Sequence, residues 1–413
     1  MAWLGLALLL IHPAHTHKER FQQALCFGLG AYGVGLIWFW GLHPLTWVGL
    51  NPWQSLGATA LGWLIAVGNH TLLFALLVAL AHRRGWLLPL LWALGWALFP
   101  ETPFGVPLFT PEMTQMAWSA GRTLAGWLGG AGLSVLIVAV NVGLSKRPWQ
   151  QWPLILTGLL GLLWLVPPPP VKPLPFPVAV VQAALPIHTV RRGQGADQYQ
   201  RLLQQAQLPP GTLVLLPEEG PHPGWVDLSL APLAPYQTLA EKRGWHLVLG
   251  TLLTDGHTAW NALTLLPSGQ VYQKHRLVPF GEVFPGLDLI KPWFPSLNFS
   301  APFTPGPRRP RPWQLGTHRL LPLVCLEVLY PADGRQGDLW LVSSNLGWFQ
   351  HQPNPLLERQ YLAFAQLRAA ESRTPLILAA NEGVSAIING HGTPLRTLPS
   401  KTPGVAFYSP SKP

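Results

Sequence analysis

Charged residues are scarce in this 413-residue chain. Asp, Glu, Lys and Arg together make up 11%, against roughly 25% in soluble domains. That deficit excludes a protein that is water-soluble throughout. Cysteine occurs only twice, at Cys26 and Cys325, which excludes a disulfide framework. The net charge is +10, but no long basic stripe carries it, so nucleic acid is set aside and anionic lipid headgroups remain as its counterpart. No internal repeat is visible. The histidines of HPAHTH (12–17) have no cysteine or acidic cluster beside them, so no metal site is expected. GLGAYG (28–33) lies inside an apolar run rather than after a strand, so it is not a dinucleotide fingerprint, and no cofactor is expected.

Apolar residues, by contrast, reach 49%, with 21 tryptophans, and indole suits the membrane interface. The charges are placed unevenly. Residues 1–166 hold only seven of the 27 Lys and Arg and three of the 17 acids. The chain therefore reads as a membrane half followed by a water-soluble half. Apolar runs occur at 2–12, 22–42, 57–81, 85–99, 122–144 and 152–166, and six spans are expected, although a span needs roughly 20 residues and three of the runs are shorter. With six spans, Lys18/Arg20, Arg83/Arg84 and Lys146/Arg147 fall on one side, and the opposite loops 43–56 and 100–121 carry no Lys or Arg. The basic side is then cytoplasmic and the second half lies outside the cytoplasm. Cys26, inside a run, reads as inert packing. VPPPPVKPLPFP (166–177) cannot continue a helix and favours polyproline II, a semi-rigid spacer. The expected domains are thus a transmembrane domain over 1–166, a linker over 167–177 and a soluble domain over 178–413.

In the soluble half, strand-like runs recur at 178–184, 212–216, 246–252, 260–266, 270–274, 321–327, 338–343 and 376–380. PSGQ (267–270) is turn chemistry and makes 260–274 a hairpin. Helical patterns at 195–207, 229–243 and 354–372 alternate with these strands, which argues for α/β layers. Polar residues stand at strand ends in three places: Glu218 and Glu219 in LVLLPEEGP, Lys274 and Glu282 in GQVYQKHRLVPFGE, and Cys325 and Glu327 in LPLVCLEVLYP (321–331). The alternation of a strand would put Cys325 and Glu327 on one face. A lone cysteine in an apolar strand is most often core filling. A base, a cation and a thiol on three strand ends also make a nucleophilic site. From the residues alone, both readings stand.

These same segments resemble the Glu–Lys–Cys motifs of the nitrilase (carbon–nitrogen hydrolase) superfamily. More closely, they resemble its integral membrane branch, the apolipoprotein N-acyltransferases. NALTLLPSGQVYQKHRLVPFGEVFP (261–285) resembles the central signature of that family. SSNLGWFQ (343–350), the helix and strand of 360–388, VVQAALP (180–186) and the spans FGLGAYGVGLIWFW and LGGAGLSVLIVAVN resemble further family segments. The resemblance implies a multi-pass helical domain followed by an αββα nitrilase-like domain. It implies Cys325 as nucleophile, Glu218 rather than Glu219 as general base, and Lys274 as oxyanion stabiliser. Glu282 and Glu327 would orient the lysine and shape the pocket, with Trp348 as a further supporting residue.

The implied reaction moves an acyl chain from a membrane phospholipid to the N-terminal amine of an S-diacylglyceryl-cysteine lipoprotein. The implied setting is the periplasmic face of a bacterial inner membrane, with a monomer expected. Departures are Leu216, Leu326, Leu346 and Gln350, where the family often has Trp, Tyr, Asp and Gly. The chain also ends at GVAFYSPSKP, where the family has a last strand and a C-terminal span, so an inactive shortened scaffold is one alternative and a different amidase of the superfamily another. Two apolar stretches beside the motifs, 284–299 with Trp293 and Phe294 and 345–357 with Trp348 and Phe349, read either as interfacial segments or as packing on the core. Lys291, Arg308, Arg309 and Arg311 read as phosphate contacts or solvated surface charge.

Overall fold

The computed structural model describes residues 2–46, 49–102, 104–191, 195–219, 224–283, 292, 303–308, 311–331, 336–349 and 354–410. The chain divides into two compact units. One comprises Met1–Trp40 and Leu56–Pro170; the other comprises Gly41–Ser55 and Val171–Pro413.

In the first unit every expected apolar run forms a helix: α1 (Gly5–Ile11), α2 (His17–Gly35), α3 (Pro52–Leu80), α4 (Leu88–Leu98), α5 (Ser119–Ser145) and α6 (Trp152–Trp164). Among the described residues only α3 and α5 are long and apolar enough to cross a membrane. At 1.5 Å per residue, the 13 residues of α6 reach roughly 20 Å, short of a ~30 Å hydrocarbon core. The helices are joined by buried polar contacts. Asn141 on α5 donates to the Ala2 carbonyl at 2.9 Å and accepts from the Ala7 N–H at 2.9 Å. Trp92 on α4 donates to Ser134 on α5 at 2.8 Å. Leucines at helical spacing are exposed on α3 (Leu72, Leu76, Leu80) and on α4 (Leu90, Leu94, Leu98), apolar stripes that water does not favour. Cys26 is exposed on α2 rather than packed, because it stands on the outward side of that helix while Ala24 and Gly28 face inward.

The second unit is built on two sheets. The first contains β1 (Val178–Gln182), β2 (Leu213–Leu215), β3 (Trp225–Asp227), β4 (His246–Thr254), β5 (Ala259–Leu266), β6 (Gln270–Gln273) and β13 (Gly404–Tyr408). Its order is β13-β1-β2-β4-β5-β6, with β3 on β4. The second contains β7 (Trp313–Leu315), β8 (His318–Val324), β9 (Leu339–Ser344), β10 (Leu376–Ala380), β11 (Ser385–Ile388) and β12 (Pro394–Leu398), in the order β12-β11-β10-β9-β8-β7. Each sheet has a parallel centre, β1-β2-β4 in one and β8-β9-β10 in the other, flanked by antiparallel hairpins. Val180, Leu215, Val248 and Leu263 of the first sheet meet Val324, Leu341 and Ile377 of the second in one core. After β1 come α7 (Ile187–Arg191) and α8 (Ala196–Gln205). The alternate residues Val181, Val214 and Leu249 pack against Tyr199 and Leu203 of α8 and Tyr236 and Ala240 of α9 (Ala234–Arg243). The long helix α10 (Pro355–Ser372) lies on β10 and β11. This is the two-sheet, helix-flanked sandwich that the resemblance implies. Strands buried on both faces explain the near-continuous apolar runs.

One expected strand is corrected. The run 321–327 leaves the strand at Val324, and Cys325 opens a tight 3-10 turn, Cys325–Leu329, with φ of +50°. Cys325 and Glu327 therefore do not share a strand face. The segment 284–299, Lys291, Arg309 and Gln350 lie outside the described residues, apart from Pro292 within that segment.

Candidate active site

The parallel strands of both sheets end on a common rim, where backbone N–H groups and side chains at the strand ends are left to point at one another. Glu218 follows β2, Cys325 follows β8, and Asn345 follows β9. Lys274 follows β6, its N–H held by the Asn261 carbonyl at 2.8 Å. The fold brings these together although they are far apart in sequence. A positive φ is costly for a residue with a Cβ, and at Cys325 it directs the thiol off the strand end. The turn is fastened by Tyr361 of α10, whose hydroxyl donates to the Cys325 carbonyl at 2.9 Å.

Lys274 is almost fully buried, at 1% exposure. Its ammonium lies 2.8 Å from Glu282 Oε2 and 3.7 Å from Glu218 Oε1. Glu218 is 4% exposed. It accepts from Asn261 Nδ2 at 2.7 Å and from the Asn345 N–H at 3.0 Å, and it acts electrostatically on the Cys325 thiol. Asn261 also reaches Glu282 Oε1 at 2.5 Å, and Glu282 Oε2 accepts from the Val278 N–H at 2.8 Å. Glu282 is thus the fixed anchor of the lysine.

The electrostatics set the resting protonation. Burial raises Glu218 above the ordinary carboxylate range, with the Lys274 charge opposing. Burial disfavours the lysine's charge, but Glu282, Glu218 and Cys325 outweigh it and Lys274 is held protonated. Burial and the Glu218 charge push the Cys325 thiol up to about 12, against Lys274 and the Ser344 hydroxyl beside it. A thiolate is therefore not stored in the free protein. The proton must leave as the new bond forms.

Glu327 is brought to the back of this constellation rather than into it. One carboxylate oxygen accepts from the Tyr272 hydroxyl at 2.8 Å and from the His275 and Arg276 N–H groups at 3.0 and 3.2 Å. The other takes Tyr272 at 2.7 Å and the Val324 N–H at 2.9 Å. It ties the segment after Lys274 to the residue before Cys325. Trp348 sits half-buried in the turn Leu346–Phe349 that follows Asn345. The neighbouring Glu219 has a φ of +60°. Reading the sequence missed Asn261, Tyr272 and Tyr361. Only Asn261 left a signal, as a polar residue inside the apolar strand AWNALTLL.

No family model matches the chain. A curated apolipoprotein N-acyltransferase from Parasynechococcus marenigrum is 30% identical over 94% of this chain and 86% of its own length. One from Gloeobacter violaceus is 27% identical over 96% and 81%. Among solved structures, a carbon–nitrogen hydrolase superfamily protein from Xanthomonas campestris matches with a TM-score of 0.42 at 21% identity, covering 57% of this chain and 90% of that one.

Proposed function

The chain belongs to the apolipoprotein N-acyltransferase family, and we propose that Cys325, Glu218 and Lys274 carry out its acyl transfer in two half-reactions. In the first, Glu218 takes the Sγ proton as sulfur attacks the ester carbonyl of a phospholipid. The C–S bond forms and the C–O bond breaks. The leaving lysophospholipid oxygen receives the proton from Glu218, and a thioester remains on Cys325. In the second, the α-amine of an S-diacylglyceryl-cysteine lipoprotein attacks the thioester. The C–N bond forms, the C–S bond breaks, and the amine's proton returns to sulfur through Glu218. Lys274 and a backbone N–H of the Cys325 turn receive the developing oxyanion. One such donor is worth about 3 kcal/mol in comparable sites.

The observation that carries this reading is the buried cluster in which the Lys274 ammonium lies 3.7 Å from Glu218 and both groups act on the charge of the Cys325 thiol. Glu282 keeps Lys274 in place, and Glu327 keeps the two loops in register. Both substrates are lipids, and the apolar leucine surfaces of α3 and α4 support a membrane setting. The apolar runs support six spans, the charge distribution supports an extracytoplasmic second unit, and the family supports a bacterial inner-membrane location. In this reading Trp348 borders the substrate, and the protein works as a monomer without a cofactor.

The test is labelling with a phospholipid that carries a radioactive acyl chain. Wild type is expected to acquire acyl label in a hydroxylamine-sensitive bond and to pass it to a diacylated lipopeptide. Label that persists on Cys325→Ala would overturn the assignment of the nucleophile. Label that leaves only to water would favour a hydrolase.

A further inference from the structure

Glu382 is a buried carboxylate, 6% exposed, that the steps above do not use. It stands just beyond β10, on the same rim as Asn345 and Cys325. β10 runs parallel to β9 with Ala380 opposite Ser344, and the pairing continues past both strands. The Asn381 N–H donates to the Ser344 carbonyl at 3.1 Å, and the Leu346 N–H donates to the Glu382 carbonyl at 3.0 Å. Between those two bonds lies Asn345, whose N–H donates to Glu218 at 3.0 Å. The Glu382 side chain secures the same turn from the other side. Its Oε2 accepts from the Ile187 N–H at 3.2 Å, at the start of a short helix after β1. It also presses on Gly347 so closely that a Cβ there would strike it. Gly347 in turn donates its N–H to Asn345 Oδ1 at 3.1 Å.

We propose that Glu382 is a positioning residue for the general base. Its carboxylate wedges the 345–347 turn against the start of the short helix that follows β1 and so keeps the Asn345 N–H aimed at Glu218. The inference rests on Glu218 acting as base. A hydrogen bond to a carboxylate favours its charged form, so a loosened Asn345 N–H leaves Glu218 harder to ionise. The titratable groups that act on Glu218 are Lys274, Glu282 and the neutral Cys325 thiol; the one that acts on Glu382 is Lys401.

The experiment is single-turnover acylation of Cys325 by phospholipid across pH, on the full chain in detergent. Glu382→Ala is expected to slow acylation about tenfold at neutral pH and to move the acid limb upward, with KM for phospholipid unchanged. Glu382→Gln, which keeps the shape and an acceptor oxygen, is expected to restore the wild-type limb. If Glu382→Ala does not fold, Gly347→Ala displaces the same turn and is expected to move the limb in the same direction. A wild-type limb in the variant tested, or a Gln variant that behaves like Ala, would sink the proposal. Cys325→Ala is run alongside. If it takes label, the nucleophile reading fails; if it stays silent while the limb is unmoved, only the role of Glu382 fails.

Discussion

Glu218 has two duties that pull against each other, and this makes its chemistry testable. As a base it must be ionised, while burial raises it above its ordinary value of 4.5. Acylation is therefore expected to fall as pH drops through a value above that of a free glutamate, and Glu218→Gln should remove this limb together with about 10²–10⁴-fold of the rate. The sign for stability is opposite. A carboxylate whose folded value is raised stabilises the fold below its unfolded value and loses that contribution as pH rises through the folded one. Thermal melting at neutral pH should show Glu218→Gln at least as stable as wild type; a clear fall in Tm would refute this. Lys274→Met should behave differently, because it strands Glu218 and Glu282 as buried charges and costs about 3–5 kcal/mol. At this scale the sequence was informative. Cysteine, lysine and glutamate at strand ends were visible as exceptions to apolar runs. The role of Glu327 as a brace was not, because its partners are mostly backbone N–H groups, which every residue has.

The elements decide where those side chains meet. Gly250 in β4 lies so close to the end of β2 that a Cβ would come within 2.5 Å of the Pro217 carbonyl and 2.6 Å of the Glu218 Cα. Gly250→Ala is expected to push Glu218 from the cluster, with a stability loss of about 1–3 kcal/mol and a larger loss of acylation. Unchanged single-turnover kinetics would show that the β2 end can relax. Glu327→Ala should cost a similar or larger amount, since it leaves Tyr272 and three N–H groups without their acceptor. The long strands and helices were legible from periodicity, and the 267–270 turn from its Pro-Ser-Gly chemistry. The three-residue strands β3 and β7, and the end of β8 at Cys325, were not. Short strands carry too little pattern to register, and a positive φ at a cysteine follows from tertiary support rather than local preference. The strand β11 was missed because it is short, and the edge strands β12 and β13 because they carry more exposed or half-buried positions than the parallel centre.

For the whole molecule, the second unit takes in Gly41–Ser55 as well as the chain from Val171 onward, a grouping that composition does not announce, and the number of spans does not follow from apolar runs alone. Among the described residues only α3 and α5 are long and apolar enough to cross a membrane, so the topology rests on where the basic residues lie. With Cys26 and Cys325 both replaced by serine, cysteines introduced by Lys18→Cys, Arg84→Cys and Lys146→Cys should resist a membrane-impermeant thiol reagent in intact cells, while Asn51→Cys and Glu112→Cys should react. The reverse pattern would overturn the assignment. One feature of the second unit has a mechanical consequence. β13 closes the first sheet beside β1, with Tyr408 opposite Val178. The entry to the unit from the proline run and the end of its last strand thus lie one strand apart, about 5 Å. Traction between these two points would open the pair bond by bond, as a zip opens. Traction on both together would load nothing. A tether to the bilayer at either point, or at both, therefore leaves the catalytic rim free of tension.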